Sequence, residues 1–154
     1  MDNTYLDIYN NLIKLTRNKE LYNLNKQDTF YDRMIIFFFH LAFLLKINKK
    51  TENKQNLQNF FDYCIRQIEL SIREIGYGDA TINKKMKEYV NLLFSIIDKI
   101  NDWEFKDNQK KMDIFINYLD DGHNFDNYVD YFEKYRIFLT KNSFNNLSKD
   151  IITL

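Results

Sequence analysis

With 154 residues, 45% of them hydrophobic and 17% aromatic, the chain has the length and the apolar material for one sizeable core. Basic and acidic residues number 22 each, so the formal net charge is zero; this argues against a general nucleic-acid binder, and no DNA partner is expected. The single cysteine, Cys64, excludes an internal disulfide.

Proline is absent and only three glycines occur, so helices run uninterrupted and the glycines mark boundaries. The fold expected is all-α: a single compact bundle of about six helices over residues 1–154. The first helix is predicted over 5–17, after Asn3 or Thr4 as cap, with Tyr5, Ile8, Tyr9, Leu12, Ile13 and Leu15 on one stripe. A turn through 19–27 follows, with Leu21, Tyr22 and Leu24 directed inward. Thr29 caps a second helix over about 31–47. Residues 34–45 are apolar on every side except at His40, which places this helix inside a domain or a membrane. The run falls short of the ~20 apolar residues of a membrane span. Arg33 and Lys46 close it at both ends, so it is assigned as the central core helix.

The third helix is predicted over about 56–75, with Leu57, Phe61, Cys64, Ile68, Ile72 and Ile75 on its stripe and Phe60 and Ile65 beside it. Gly76 suits the left-handed residue that ends it. Gly76-Tyr77-Gly78-Asp79 then makes a tight connection to a fourth helix over about 82–100. Ile82, Met86, Tyr89, Val90, Leu93, Phe94, Ile97 and Ile100 are expected on its buried face. A fifth helix covers about 107–119 and stops at Asp121-Gly122. A sixth, capped by Asn124, covers about 126–140, and Ser143 opens a short final helix.

No CxxC, GxGxxG, P-loop or nucleophile elbow is present, and His40 and His123 have no Cys, Asp or Glu at metal-ligand spacing. Asp107, Asp113 and Asp120-Asp121 sit at helix ends, where solvation explains them. No catalytic residue, metal or cofactor is expected, and the role expected is binding rather than catalysis. His40 is read as a neutral core histidine bonded to a neighbouring helix in preference to a haem ligand. Cys64, on an apolar stripe, is expected to be buried.

Lys84, Lys85 and Lys87 fall in the first turns of the fourth helix, the end that already carries partial positive charge. Such a cluster suits RNA phosphate, an anionic membrane or an acidic protein; the plainer alternative is a solvated face. Any part of the second helix left uncovered would form a hydrophobic groove for a partner helix. The N-terminus, Met1-Asp2-Asn3-Thr4, has the layout of neither a secretory signal nor a transit peptide, so a cytoplasmic location is expected.

Two blocks carry a family resemblance. Asp28-Thr29-Phe30-Tyr31-Asp32-Arg33-Met34, followed by the apolar helix with His40-Leu41, resembles the opening of the ubiquinol–cytochrome c chaperone family. Phe60-Phe61-Asp62 through Arg73-Glu74-Ile75-Gly76-Tyr77-Gly78-Asp79 resembles that family's long helix ending in Arg-Glu-Met-Gly-Val-Gly-Asp. Asn83-Lys84-Lys85-Met86-Lys87 is similar to the Gly-Lys-Arg-Val-Lys start of its next helix, with Asn83 where Gly is common. A weaker likeness through Ile116-Asn117-Tyr118-Leu119 and Tyr128-Val129 extends the resemblance over about 5–139.

The resemblance implies a bacterial-type assembly factor for the cytochrome bc complex (respiratory complex III). Its client would be newly made, unassembled cytochrome b, held until it joins the complex. Asp28, Arg33, His40, Arg73, Gly76, Gly78, Asp79, Lys84, Lys85 and Lys87 would then be partner-binding residues, as contacts or as pins behind them. The resemblance allows contact with the ribosome surface, or peripheral contact with the cytoplasmic face of the inner membrane. The alternative is a ribosome- or RNA-associated helical module without a cytochrome client.

Overall fold

The computed structural model describes residues 3–18, 21, 29–119 and 125–149, and these form six α-helices with no strand among them. In chain order they are α1 (Thr4–Thr16), α2 (Phe30–Asn48), α3 (Lys54–Ile75), α4 (Asp79–Ile100), α5 (Asn108–Ile116) and α6 (Phe125–Lys141). Short 3-10 turns occupy Trp103–Phe105 and Asn145–Ser148. Leu21 is buried as expected, whereas Tyr22, Leu24, the Asp121-Gly122 stop and Asn124 lie outside the described residues.

Side-chain caps set several helix starts. Thr29 Oγ1 accepts the Asp32 N–H at 3.1 Å, which begins α2 where the sequence puts it. Asn53 Oδ1 accepts from the N–H groups of Gln55 and Asn56, so α3 starts two residues earlier than expected. Asp107 Oδ1 accepts from Lys110 N–H and opens α5. Gly78 precedes α4, with acidic Asp79 as its first residue, where a carboxylate complements the partial positive charge of the helix end.

Helix α2 is the axis of the bundle. From Met34 to Leu44 no residue is more than 4% exposed, and α1, α4 and α6 pack around it. A helix with apolar residues on every side is stable in water only when other elements cover it all round, as they do here. The uncovered parts of α2, where a groove was expected, are confined to its ends: residues 34–44 are covered on every face, whereas Phe30 and Leu45 line surface clefts.

Rings fill the space between α2 and the C-terminal helices. Phe39 meets Phe115 at 4.7 Å, Phe43 stacks on Phe132 at 5.5 Å and stands edge-on to Trp103 at 5.1 Å. Each such pair adds about 0.5–1.5 kcal/mol beyond the area it buries. Trp103 is fully buried but donates its indole N–H to Glu133 at 2.7 Å, while Lys111 lies 5.0 Å over its ring. Arg136 pairs with Glu133, and Lys46 Nζ with Glu104 at 2.8 Å, which ties the C-terminal end of α2 to the turn carrying Trp103. The Arg136 hydrogen bond holds the Glu133 carboxyl below the usual carboxylate range. On the opposite side, Asn11 Nδ2 donates to the carbonyls of Leu147 and Lys149 and clips the last turn onto α1.

On α3 and α4 the buried faces are rotated from those expected. Leu57, Phe60, Cys64, Ile68 and Ile72 point inward on α3, whereas Phe61 is half-buried and Ile75 is exposed. On α4 the inward set is Ile82, Met86, Leu93, Ile96 and Ile100, and Phe94, expected inside, is 54% exposed. Both helices carry an apolar arc wider than the face that the rest of the bundle covers. No described helix is long and apolar enough to cross a membrane.

Candidate functional site

The surplus of apolar arc on α3 and α4 makes a groove on the outer side of the hairpin. Phe61 and Phe94 stack there at 5.7 Å with planes 18° apart. On one side of this pair lies a cleft of about 560 Å³ lined by Leu45, Lys49, Lys54, Leu57, Gln58, Phe61, Phe94 and Ile97. On the other lies a cleft of about 470 Å³ lined by Phe61, Asp62, Ile65, Arg66, Glu69, Met86, Lys87, Val90 and Asn91. Both clefts share Phe61, so they read as one trough following α3 from Lys54 to Glu69. Its floor is aliphatic and aromatic, and its rim is charged.

The hairpin that bears the trough is pinned at its turn. Gly76 adopts φ +102°, the left-handed position predicted for it, and its N–H donates to Arg73 O. Nothing lies within 4 Å of where a Cβ would stand, so the backbone angle alone calls for glycine. Arg73 reaches across the turn to Asp79 at 2.8 Å, with Glu69 behind it at 3.9 Å. The hydrogen bond to Asp79 is the main cause that raises the pKa of Arg73 further. Arg73, Gly76, Gly78 and Asp79 are thus brought together as one turn.

The lysines divide. Lys87 lines the trough; Lys84 is exposed; Lys85 is half-buried, with its ammonium 4.8 Å over the Tyr77 ring. Lys49 and Lys54 are exposed at the far end of the trough, whereas Lys46 is tied to Glu104. Arg33 is distant in role: it lines a separate cleft of about 350 Å³ between α1, α2 and α3, with Arg17, Tyr9 and Phe30. Asp28 lies outside the described residues.

His40 belongs to the core, as its plainer reading holds, and not to any surface. It is fully buried, with Nδ1 2.8 Å from Ile36 O and Nε2 2.6 Å from the Tyr131 hydroxyl on α6. A carbonyl only accepts, so Nδ1 carries the proton and Nε2 accepts from Tyr131. Burial lowers the imidazole pKa to about 3, against which the Ile36 bond works. A contact role for His40, implied by the resemblance, does not fit a side chain with both ring nitrogens engaged inside. Cys64 is also fully buried, and burial pushes its thiol up, away from the reactive thiolate.

Sequence reasoning missed two features. The exposure of the Phe61–Phe94 pair had only a partial signal: both apolar arcs are wide, but periodicity does not mark which edge the neighbouring helices leave uncovered. Trp103 had none: its place in the core depends on a 3-10 turn that no periodicity marks.

Fold and groove together define an all-helical protein whose distinctive surface is an apolar trough. No group of His, Cys, Asp or Glu able to hold a metal occurs among the described residues. A family model, ubiquinol-cytochrome C chaperone, matches residues 23–103, more than half of the chain. The chain belongs to the ubiquinol-cytochrome C chaperone family. Membership points to a chaperone role toward ubiquinol–cytochrome c reductase rather than to catalysis. The matched span holds α2, α3 and α4, and is shorter than the 5–139 over which the resemblance extends. No curated protein and no solved structure matches the chain.

Proposed function

We propose that this protein is a non-enzymatic assembly factor that holds unassembled cytochrome b in the α3–α4 trough until the client enters ubiquinol–cytochrome c reductase. Family membership supports the assembly role. The observation that supports the trough as the holding surface is the stacked, solvent-facing Phe61–Phe94 pair. A client segment destined for a lipid or protein interior presents apolar side chains that water disfavours. Covering one Leu, Ile or Phe side chain contributes about 1.5–3 kcal/mol when burial is complete. A floor of Leu57, Phe61, Ile65, Val90, Phe94 and Ile97 takes such side chains without reading a sequence. Binding is stoichiometric, and release follows when the client's own interfaces in the complex compete for the same surface.

In this reading residues 1–154 act as one domain. Arg73, Gly76, Gly78 and Asp79 fix the hairpin that shapes the trough. Lys84, Lys85 and Lys87, with Lys50, supply basic charge toward a ribosome or the cytoplasmic face of the inner membrane. Arg33 lies apart from these lysines.

The test is deletion of the gene in the native organism. Membrane b-type haem is then read from the reduced-minus-oxidised spectrum, and cytochrome b by immunoblot. Both are expected to fall while the transcript is unchanged, and the intact gene is expected to restore them. Normal levels of both in the deletion strain would sink the proposal.

A further inference from the structure

The rim of the trough is asymmetric along its length. At one end only cations line it: Lys49 after α2 and Lys54 at the start of α3. The neighbouring carboxylate, Glu52, is turned onto the Asn53 N–H and the Asn56 amide. At the other end the signs are mixed, with Asp62 and Glu69 beside Arg66 and Lys87. Along α3, from Leu57 to Glu69, twelve steps of 1.5 Å give the trough a length of about 18 Å, with Leu57, Phe61 and Ile65 as its apolar residues on that helix. That length fits about three turns of a helix laid between α3 and α4, with its leucine-type side chains in the two clefts. The two clefts on either side of the Phe61–Phe94 pair are concave, which suits the side chains of a helix.

We infer that the trough seats a client α-helix in one orientation, with an acidic C-terminal flank at Lys49 and Lys54. The inference rests on the client-holding role proposed above. The C-terminal end of any helix carries partial negative charge, and acidic residues there add to it. At that end of the trough these charges meet Lys49 and Lys54 with no lining carboxylate to oppose them. The reversed helix would bring its partial positive N-terminus to the two lysines and lose the pairing.

Two 14-residue amphipathic peptides, acetylated and amidated, test this by calorimetry with the whole protein. Each has leucine on one face and glutamine on the other; one ends in two glutamates and the other begins with them. Glutamate at a C-terminus weakens an isolated helix, so a preference for that peptide reports the trough and not the peptide. The wild-type protein is expected to bind the C-terminal-Glu peptide about threefold to tenfold tighter, the range for two exposed ion pairs. K49E/K54E is expected to reverse the order, and the uncharged Phe94→Gln to weaken both peptides equally while keeping the circular dichroism of the wild type. Equal affinities in the wild type, or an unchanged preference in K49E/K54E, would overturn the orientation. Binding to phosphatidylglycerol vesicles with none to either peptide would overturn the helix as occupant. The client-holding role fails separately, if cytochrome b persists in the deletion strain.

Discussion

His40 shows how one buried polar side chain is made compatible with a core of rings. Its two nitrogens are satisfied by Ile36 O and the Tyr131 hydroxyl, and Tyr135 donates its hydroxyl to His40 O, so α2 and α6 are joined at two points. An unmade bond there leaves a desolvated polar group, so His40→Ala is expected to cost about 3 kcal/mol from cavity and lost bonds together. Folding also holds the imidazole neutral, with its pKa lowered from the ordinary 6.5 to about 3. Between those two values the unfolded chain binds the extra proton and the folded one does not. Stability therefore falls as pH drops through that window, by at most about 1.4 kcal/mol per unit from this group. Urea midpoints at pH 7 and pH 5 check this: the wild type should lose more stability than His40→Gln. An equal loss in both would show that His40 is not the source. The sequence made His40 legible as a core residue, because an isolated histidine in an otherwise apolar helix has nowhere else to go. It could not supply Tyr131, which is 91 residues away.

At the scale of the helix, adjacent phenylalanines divide between stability and surface. Phe60 is fully buried against Phe144 and Tyr5, whereas Phe61 opens to the trough against Phe94. Phe60→Ala is expected to cost about 3–5 kcal/mol, as for other buried rings. Phe94→Glu is expected to cost only about 0.5–1.5 kcal/mol, the worth of its stack on Phe61, because about half of the ring is already in solvent. Thermal melts of the two variants check the contrast, and a large loss in Phe94→Glu would mean that the ring is a core residue after all. The boundaries of α2, the left-handed Gly76 and the close of α3 were all legible, because caps, glycine and periodicity are local signals. Which edge of the α3 and α4 arcs stays wet was not. Periodicity places the centre of an apolar arc, while its covered width depends on neighbours such as α2. The exposed edge is therefore where sequence reasoning placed Phe94 inside and overlooked Ile96.

At the scale of the molecule, α2 serves as a sealed axis and the α3–α4 hairpin as the working surface. The charged residues singled out from the second block gather at the hairpin turn and along the start of α4, while His40 and Arg33 of the first block serve the interior and a separate cleft. The family match centres on those same elements, α2 to α4, and stops at Trp103. The central claim is that unassembled cytochrome b lies against Phe94. The most direct measurement places a benzophenone amino acid at position 94 in the native organism, with a control at Ile137, an exposed position on α6. Cells are pulse-labelled, irradiated and chased. We expect a crosslink to newly made cytochrome b from position 94 that fades during the chase as the complex assembles, with little or none from position 137. Equal crosslinking from both positions, or none from position 94 while unassembled cytochrome b is abundant, would contradict the claim.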